Sequence, residues 1–172
     1  MKKGVLLGKY LKIKHCLSRK EKCSYIIGIY VDQIFLNKKI LVVDDEEKNI
    51  QLIGSILKKH EKKVKIFVAS DGKEAIERCY AFMPDIVLMD INMPKMDGIE
   101  ACTKIKENDL FKDIPVIFLT AEASIEGKLK ALRSKGNDYI NKPVHEEELI
   151  LRLKIHLSLK INQERIRNQL IQ

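Results

Sequence analysis

From Lys38 onward, short β-branched apolar runs alternate with longer stretches in which apolar residues return every three or four positions. The runs read Ile40-Leu41-Val42-Val43, Val64-Lys65-Ile66-Phe67-Val68, Asp85-Ile86-Val87-Leu88-Met89, Val116-Ile117-Phe118-Leu119 and Asp138-Tyr139-Ile140. The first, third and fourth are nearly unbroken, the pattern of parallel strands covered on both faces. Between the runs, helical spacing joins Ile50, Ile53 and Leu57, then Ala75, Ile76, Cys79 and Tyr80. It returns in Ile125, Leu129 and Leu132, and again in Leu149 and Leu153. Asp71-Gly72-Lys73-Glu74 has capping-box form, and Asp97-Gly98 opens the stretch after the third strand. Parallel strands need crossover connections. Five strands alternating with five helices therefore predict an α/β fold, a doubly wound five-stranded parallel sheet with helices on both faces.

The ends differ from this body. Residues 1–37 read as a basic N-terminal extension, with eight Lys/Arg against two acids. Its Ser24–Leu36 stretch is open to reading as a strand, a partner segment or unfolded chain. Residues 38–158 form the predicted domain, with 21 residues of each sign. The last helix is predicted from about His145 to about Leu170, so residues 159–172 form a helical extension, either a linker or a dimerisation helix. Because the net charge of +8 sits at the ends, it is weak evidence for a nucleic-acid-binding body. The apolar run Tyr25–Val31 is too short to cross a bilayer, and Lys9 interrupts any signal-peptide core after Val5-Leu6-Leu7. Cys16, Cys23, Cys79 and Cys102 form no CxxC pair, which argues against zinc or a disulfide framework and favours a reduced, cytoplasmic setting.

In an open parallel sheet, ligands bind beyond the carboxyl ends of the strands. Asp44 and Asp45 follow the first strand, Asp90 the third, Thr120 the fourth and Lys142 the fifth. Singly, each has an ordinary explanation as a cap, a turn former or a solvated charge. Together they bring three carboxylates to one crevice, where a pair about 4 Å apart repels by roughly 4 kcal/mol at an effective dielectric of 20. A hard divalent cation such as Mg²⁺ offsets that repulsion and bridges to phosphate oxygens. Lys142 supplies a point charge for a phosphoryl oxygen, Thr120 a hydroxyl donor, and Asp90 a carboxylate able to form an acyl phosphate.

Residues 38–157 resemble a receiver domain of bacterial two-component response regulators, the CheY-like superfamily. The resemblance rests on Ile40 to Asp45, Asp85 to Pro94, Met96-Asp97-Gly98, Leu119-Thr120-Ala121 and Asp138 to Pro143. It implies the flavodoxin-like strand order 2-1-3-4-5. It also implies Asp90 as phosphoacceptor and Mg²⁺ held by Asp45, by Asp44 through water and by the Asn92 backbone carbonyl. Lys142 would pair with the phosphoryl group, and the Lys142-Pro143 bond would be cis. Thr120 and Tyr139 would form a switch pair acting on the surface of the fourth helix, fifth strand and fifth helix. Asn92 and Glu122 occupy positions that tune phosphate lifetime in the family. The implied partners are a sensor histidine kinase or phosphotransfer protein, and an output partner or effector domain. The implied role is a regulatory phosphoacceptor that catalyses only its own phosphoryl transfer and dephosphorylation.

One departure stands out: Lys135-Gly136 stands where the family commonly has Gly-Ala. Other phosphate folds lack support, since there is no GxxxxGK[ST] loop and no GxGxxG after the first strand. A dehalogenase-type phosphatase wants an Asp two residues after its nucleophile, and Asn92 stands there. The rival of a different class is a pseudo-receiver, an interaction module that never carries phosphate. It would be favoured by loss of Asp90, Lys142 or one of the acidic pair, and none is lost.

Overall fold

The computed structural model describes residues 34–121 and 134–170. The segment 1–33, the helical stretch marked by Ile125, Leu129 and Leu132, and Glu122 lie outside the described residues. The strands are β1 (Lys39–Val43), β2 (Lys65–Ala69), β3 (Ile86–Asp90), β4 (Val116–Thr120) and β5 (Asp138–Asn141). The described helices are α1 (Glu47–His60), α2 (Gly72–Phe82), α3 (Gly98–Glu107) and α4 (Glu146–Leu170). All strand pairings are parallel, and the order is β2-β1-β3-β4-β5.

That order explains the strand sequences. β1, β3 and β4 are interior, and every residue of β3 and β4 is buried. The edge strand β2 is less covered: Lys65 and Val68 are exposed and only Ala69 is buried. One face of the sheet packs Leu41, Val43, Val87, Met89, Val116 and Phe118 against Ala75 and Cys79 of α2 and Ala101, Cys102 and Ile105 of α3. Strand residues of the other parity, among them Ile40, Val42, Leu88 and Ile117, turn to the opposite face. The buried positions of α1 (Ile53, Ile56, Leu57) and α4 (Leu149, Ile150, Leu153, Leu157) serve that layer. Burial pushes the Cys79 thiol up to about 12 and raises Cys102 as well, so both behave as core residues rather than nucleophiles.

Local signals were largely legible, with two shifts. Asp71 caps α2 by accepting the Glu74 amide at 2.9 Å, but the Glu74 carboxylate reaches back to Ser70, not to Asp71. Of the helical stripe Ala75, Ile76, Cys79 and Tyr80, only Ala75 and Cys79 are buried, and Tyr80 is exposed and packs edge-on against Phe111. The Lys135-Gly136 departure has a definite backbone consequence. Lys135 itself takes the left-handed conformation, with φ of 65°, and among the described residues no glycine does.

α4 runs unbroken past Ser158. Its first half is held to β5 through Asp138, whose carboxylate meets Arg152 at 2.9 Å and His156 Nε2 at 2.9 Å. Its second half touches the base of the sheet, where Lys160 donates to the Asp85 carbonyl at 3.2 Å and Arg167 pairs with Asp113 at 2.9 Å. The described residues from Phe35 onward belong to one compact unit. No described helix is long and apolar enough to cross a membrane.

Two outcomes follow for stability. Burial pushes the Asp138 carboxyl up, but bonds with His156, the Tyr139 amide and Arg152 outweigh it and hold it below its ordinary value. Its contribution is therefore full above the unfolded-state value near 3.8 and fades as pH falls through the lower folded-state value. Asp138→Asn is expected to cost about 1–3 kcal/mol at neutral pH in urea unfolding, with the gap to wild type closing below that range. Lys135→Gly is expected to stabilise by about 0.5–1 kcal/mol, read as a higher Tm, because a side chain in the left-handed region costs about 1–2 kcal/mol and the freer unfolded glycine returns only part of it.

Candidate functional site

Asp44 follows β1 directly, and its amide is fixed by the Ala69 carbonyl at the end of β2, 3.1 Å away. The side chain is fully buried and divides its work between its two oxygens. Oδ1 accepts the Glu46 amide and the Asn49 side chain, both at 2.9 Å, and so forms the turn into α1. Oδ2 lies 2.9 Å from the Lys142 ammonium, yet no well-directed hydrogen bond reaches it. The ordinary turn role and the site role thus belong to different atoms of one carboxylate.

Asp90 ends β3 and is 4% exposed. Its Oδ2 accepts from Lys142 Nζ at 2.8 Å, while Oδ1 has a longer contact of 3.4 Å from the Asn92 amide. Lys142 therefore spans Asp44 and Asp90. The Lys142 amide donates to the Thr120 carbonyl at 2.8 Å, and the Lys142-Pro143 bond is cis, as the resemblance implied. Burial raises the Asp90 carboxyl above the usual range, and the Asp44 charge adds to this, while Lys142 and the Asn92 amide pull it back. Burial alone would lower Lys142, but its hydrogen bond to Asp90 and its ion pair with Asp44 outweigh that and raise it.

Asp45 is exposed at the rim. Oxygens of Asp44, Asp45 and Asp90 lie within 4.8 Å of one another. A set of carboxylate oxygens, one of them buried and lacking a directed hydrogen bond, fits a hard divalent cation better than a soft one. Thr120 ends β4 and is 3% exposed. Thr120 pairs with Asn141 and Phe118 with Tyr139 across the parallel ladder. Side chains two apart share a face, so the register puts Thr120 and Tyr139 on the same side of the sheet. Asn92 lies in the loop after Asp90 and is exposed. Of the predicted site residues, only Glu122 falls outside the described set.

Three supporting residues were missed in the sequence. Asn49 reaches Asp44 from α1, and no local pattern marks it. Lys95 pairs with buried Asp71 at 2.6 Å, a contact across 24 positions that periodicity cannot reveal. Gly98 was visible only as a helix start, but its role is also steric. Its amide bonds the Ile91 carbonyl at 2.9 Å, and a Cβ there would overlap the Asp90 carbonyl oxygen. A groove of about 340 Å³ lies elsewhere, beside Met83, Leu110, Lys160 and Arg167, and shares no residue with this cluster.

Residues 40–154 match the model of the response regulator receiver domain. The chain belongs to the response regulator receiver family. This receiver domain is 36% identical over 119 residues to the alkaline phosphatase synthesis transcriptional regulatory protein PhoP of Bacillus subtilis (strain 168), covering 69% of the chain and 48% of the relative. It is 34% identical over 121 residues to hybrid signal transduction histidine kinase D of Dictyostelium discoideum, covering 70% of the chain and 8% of that protein. The chain thus spans about half of one relative and a small part of the other. Among solved structures, the receiver domain of Francisella response regulator 1452 is 36% identical with a TM-score of 0.63, covering 71% of this chain and 98% of that one. A CheY-like receiver domain protein from Methanospirillum hungatei JF-1 is 26% identical with a TM-score of 0.67, covering 73% and 98%.

The close approach at Gly98 gives a direct test of how the receiver domain fixes its acidic cluster. Gly98→Ala is expected to destabilise by about 2–3 kcal/mol in denaturant unfolding, because the clash is with backbone and cannot be relieved by a rotamer change.

Proposed function

We propose that Asp90 accepts a phosphoryl group from a phosphohistidine on a sensor kinase or phosphotransfer protein, with Mg²⁺ bound among Asp44, Asp45, Asp90 and the Asn92 carbonyl. The observation that carries this reading is the Lys142 ammonium spanning the two buried carboxylates, with Asp45 at the rim. Bound Mg²⁺ would neutralise the carboxylates and orient phosphoryl oxygens. An Asp90 oxygen forms the new P–O bond as the P–N bond breaks, and the electron pair leaves with the donor imidazole. Lys142 then exchanges its bond to Asp90 for one to a phosphoryl oxygen, which the raised ammonium pKa supports by keeping it charged. Thr120, buried beside Lys142 at the end of β4, donates its hydroxyl to another oxygen.

The new charge would bias a two-state element formed by Thr120 and Tyr139. Their shared face of the sheet supports this, and it would carry the change toward β5 and α4, where an output partner or attached effector domain reads it. Asn92, and Glu122 in the same family role, would orient the water that later hydrolyses the acyl phosphate. The molecule is then a regulatory phosphoacceptor whose only chemistry is on itself.

Incubation with Mg²⁺ and a small acyl-phosphate donor, followed by intact mass measurement, tests the reading. A single added phosphoryl group is expected in the wild type, none in Asp90→Asn, and none after EDTA. Failure with both that donor and a histidine kinase, in folded protein, would favour an interaction module without phosphate chemistry.

A further inference from the structure

The loop from Ile91 to Asp97, which carries Asn92 past the acceptor, is pinned at three levels. At its root, the Ile91 amide bonds the Leu119 carbonyl at 3.3 Å, and at its end the Gly98 amide bonds the Ile91 carbonyl. At its tip, Gly72 donates to the Met96 carbonyl at 3.2 Å, and Lys95 reaches Asp71 at 2.6 Å. Lys95 holds a left-handed backbone, with φ of 67°, which a lysine adopts only when its surroundings fix it. Asp71 is 4% exposed and uses both oxygens, one for the Glu74 amide that caps α2 and the other for Lys95. It cannot follow a drifting loop without uncapping its own helix. Gly72 adds a steric stop, because a Cβ there would sit 2.8 Å from Met96 and from Ala101 of α3.

We propose that Lys95, through its ion pair with Asp71, is a positioning residue that holds the Asn92 carbonyl in place for the cation and so sets the protein's Mg²⁺ affinity. This rests on the reading of Asp90 and its neighbours as a Mg²⁺-dependent phosphoacceptor site. The pairing has the right asymmetry for the task. The carboxylate is buried and anchored to α2, whereas the lysine side chain is 71% exposed and belongs to the loop being held. The tether shares no residue with the Lys142 contacts to Asp44 and Asp90, so it acts on loop position without competing for the acceptor.

Three substitutions at Lys95 separate the tether from the backbone. Lys95→Met keeps the apolar stem without the charge, Lys95→Gly relieves the left-handed backbone without the tether, and Lys95→Arg keeps a cation. Calorimetric Mg²⁺ titration is expected to show about three- to tenfold weaker binding for Lys95→Met and Lys95→Gly, and near wild-type binding for Lys95→Arg. Amide hydrogen exchange in metal-free protein is expected to speed up at Asn92 and Met93 in the first two variants alone. Adding Asp71→Asn to Lys95→Met is expected to weaken binding no further. If Lys95→Gly binds as the wild type does, or if the two substitutions add in full, the tether is overturned. A folded wild type that neither binds Mg²⁺ nor takes a phosphoryl group overturns the underlying reading as well.

Discussion

The architecture of the site turns on one ammonium shared between two buried carboxylates. Asp44 directly follows β1 and Asp90 ends β3, adjacent interior strands, so the sheet itself brings them together. Unpaired, two such charges about 4 Å apart would repel by roughly 4 kcal/mol at an effective dielectric of 20. Lys142, 2.9 and 2.8 Å from their oxygens, offsets this, and burial still leaves the Asp90 carboxyl raised. The arrangement is poised rather than closed. One oxygen of Asp44 lacks a directed hydrogen bond, and Asp45 waits exposed at the rim.

Everything around the cluster restricts its geometry. Gly98 and Gly72 allow backbone approaches that any side chain would block, and they bring the loop after Asp90 against the sheet and α2. Asn49 fixes Asp44 through Oδ1, the oxygen that Lys142 does not contact. The clustered groups sit at or just past the strand ends of a core-anchored sheet, an arrangement that holds side chains more precisely than loops do.

The strands and their central or edge positions were legible because burial on both faces writes an unbroken apolar run, as in β3 and β4, whereas edge β2 must tolerate Lys65 and Val68. The site cluster was legible for a related reason: in a parallel sheet, residues just past strand ends converge, so Asp44, Asp45, Asp90, Thr120 and Lys142 needed only the strand positions to be grouped. What escaped was tertiary. Lys95 meets Asp71 across two loops, and Asn49 looks like any polar residue of a first helical turn. Glu74 also follows the capping-box spacing, yet its carboxylate accepts from Ser70 and Arg78 rather than from the Asp71 amide. The Lys135 finding lies between these cases. The moved glycine was visible in the sequence, but that the left-handed conformation falls on Lys135 rather than on Gly136 was not.

The central claim is that the acidic cluster is a cation site whose lysine changes partner when Asp90 is loaded. A crystal structure of the protein with Mg²⁺ and beryllium fluoride, a phosphoryl mimic, tests it most directly. The account predicts a cation about 2.0–2.1 Å from carboxylate oxygens of the cluster. It also predicts the mimic on Asp90, with Lys142 shifted from Asp90 onto it. Lys142 still spanning Asp44 and Asp90 at saturating Mg²⁺, with no cation among the carboxylates, would contradict it.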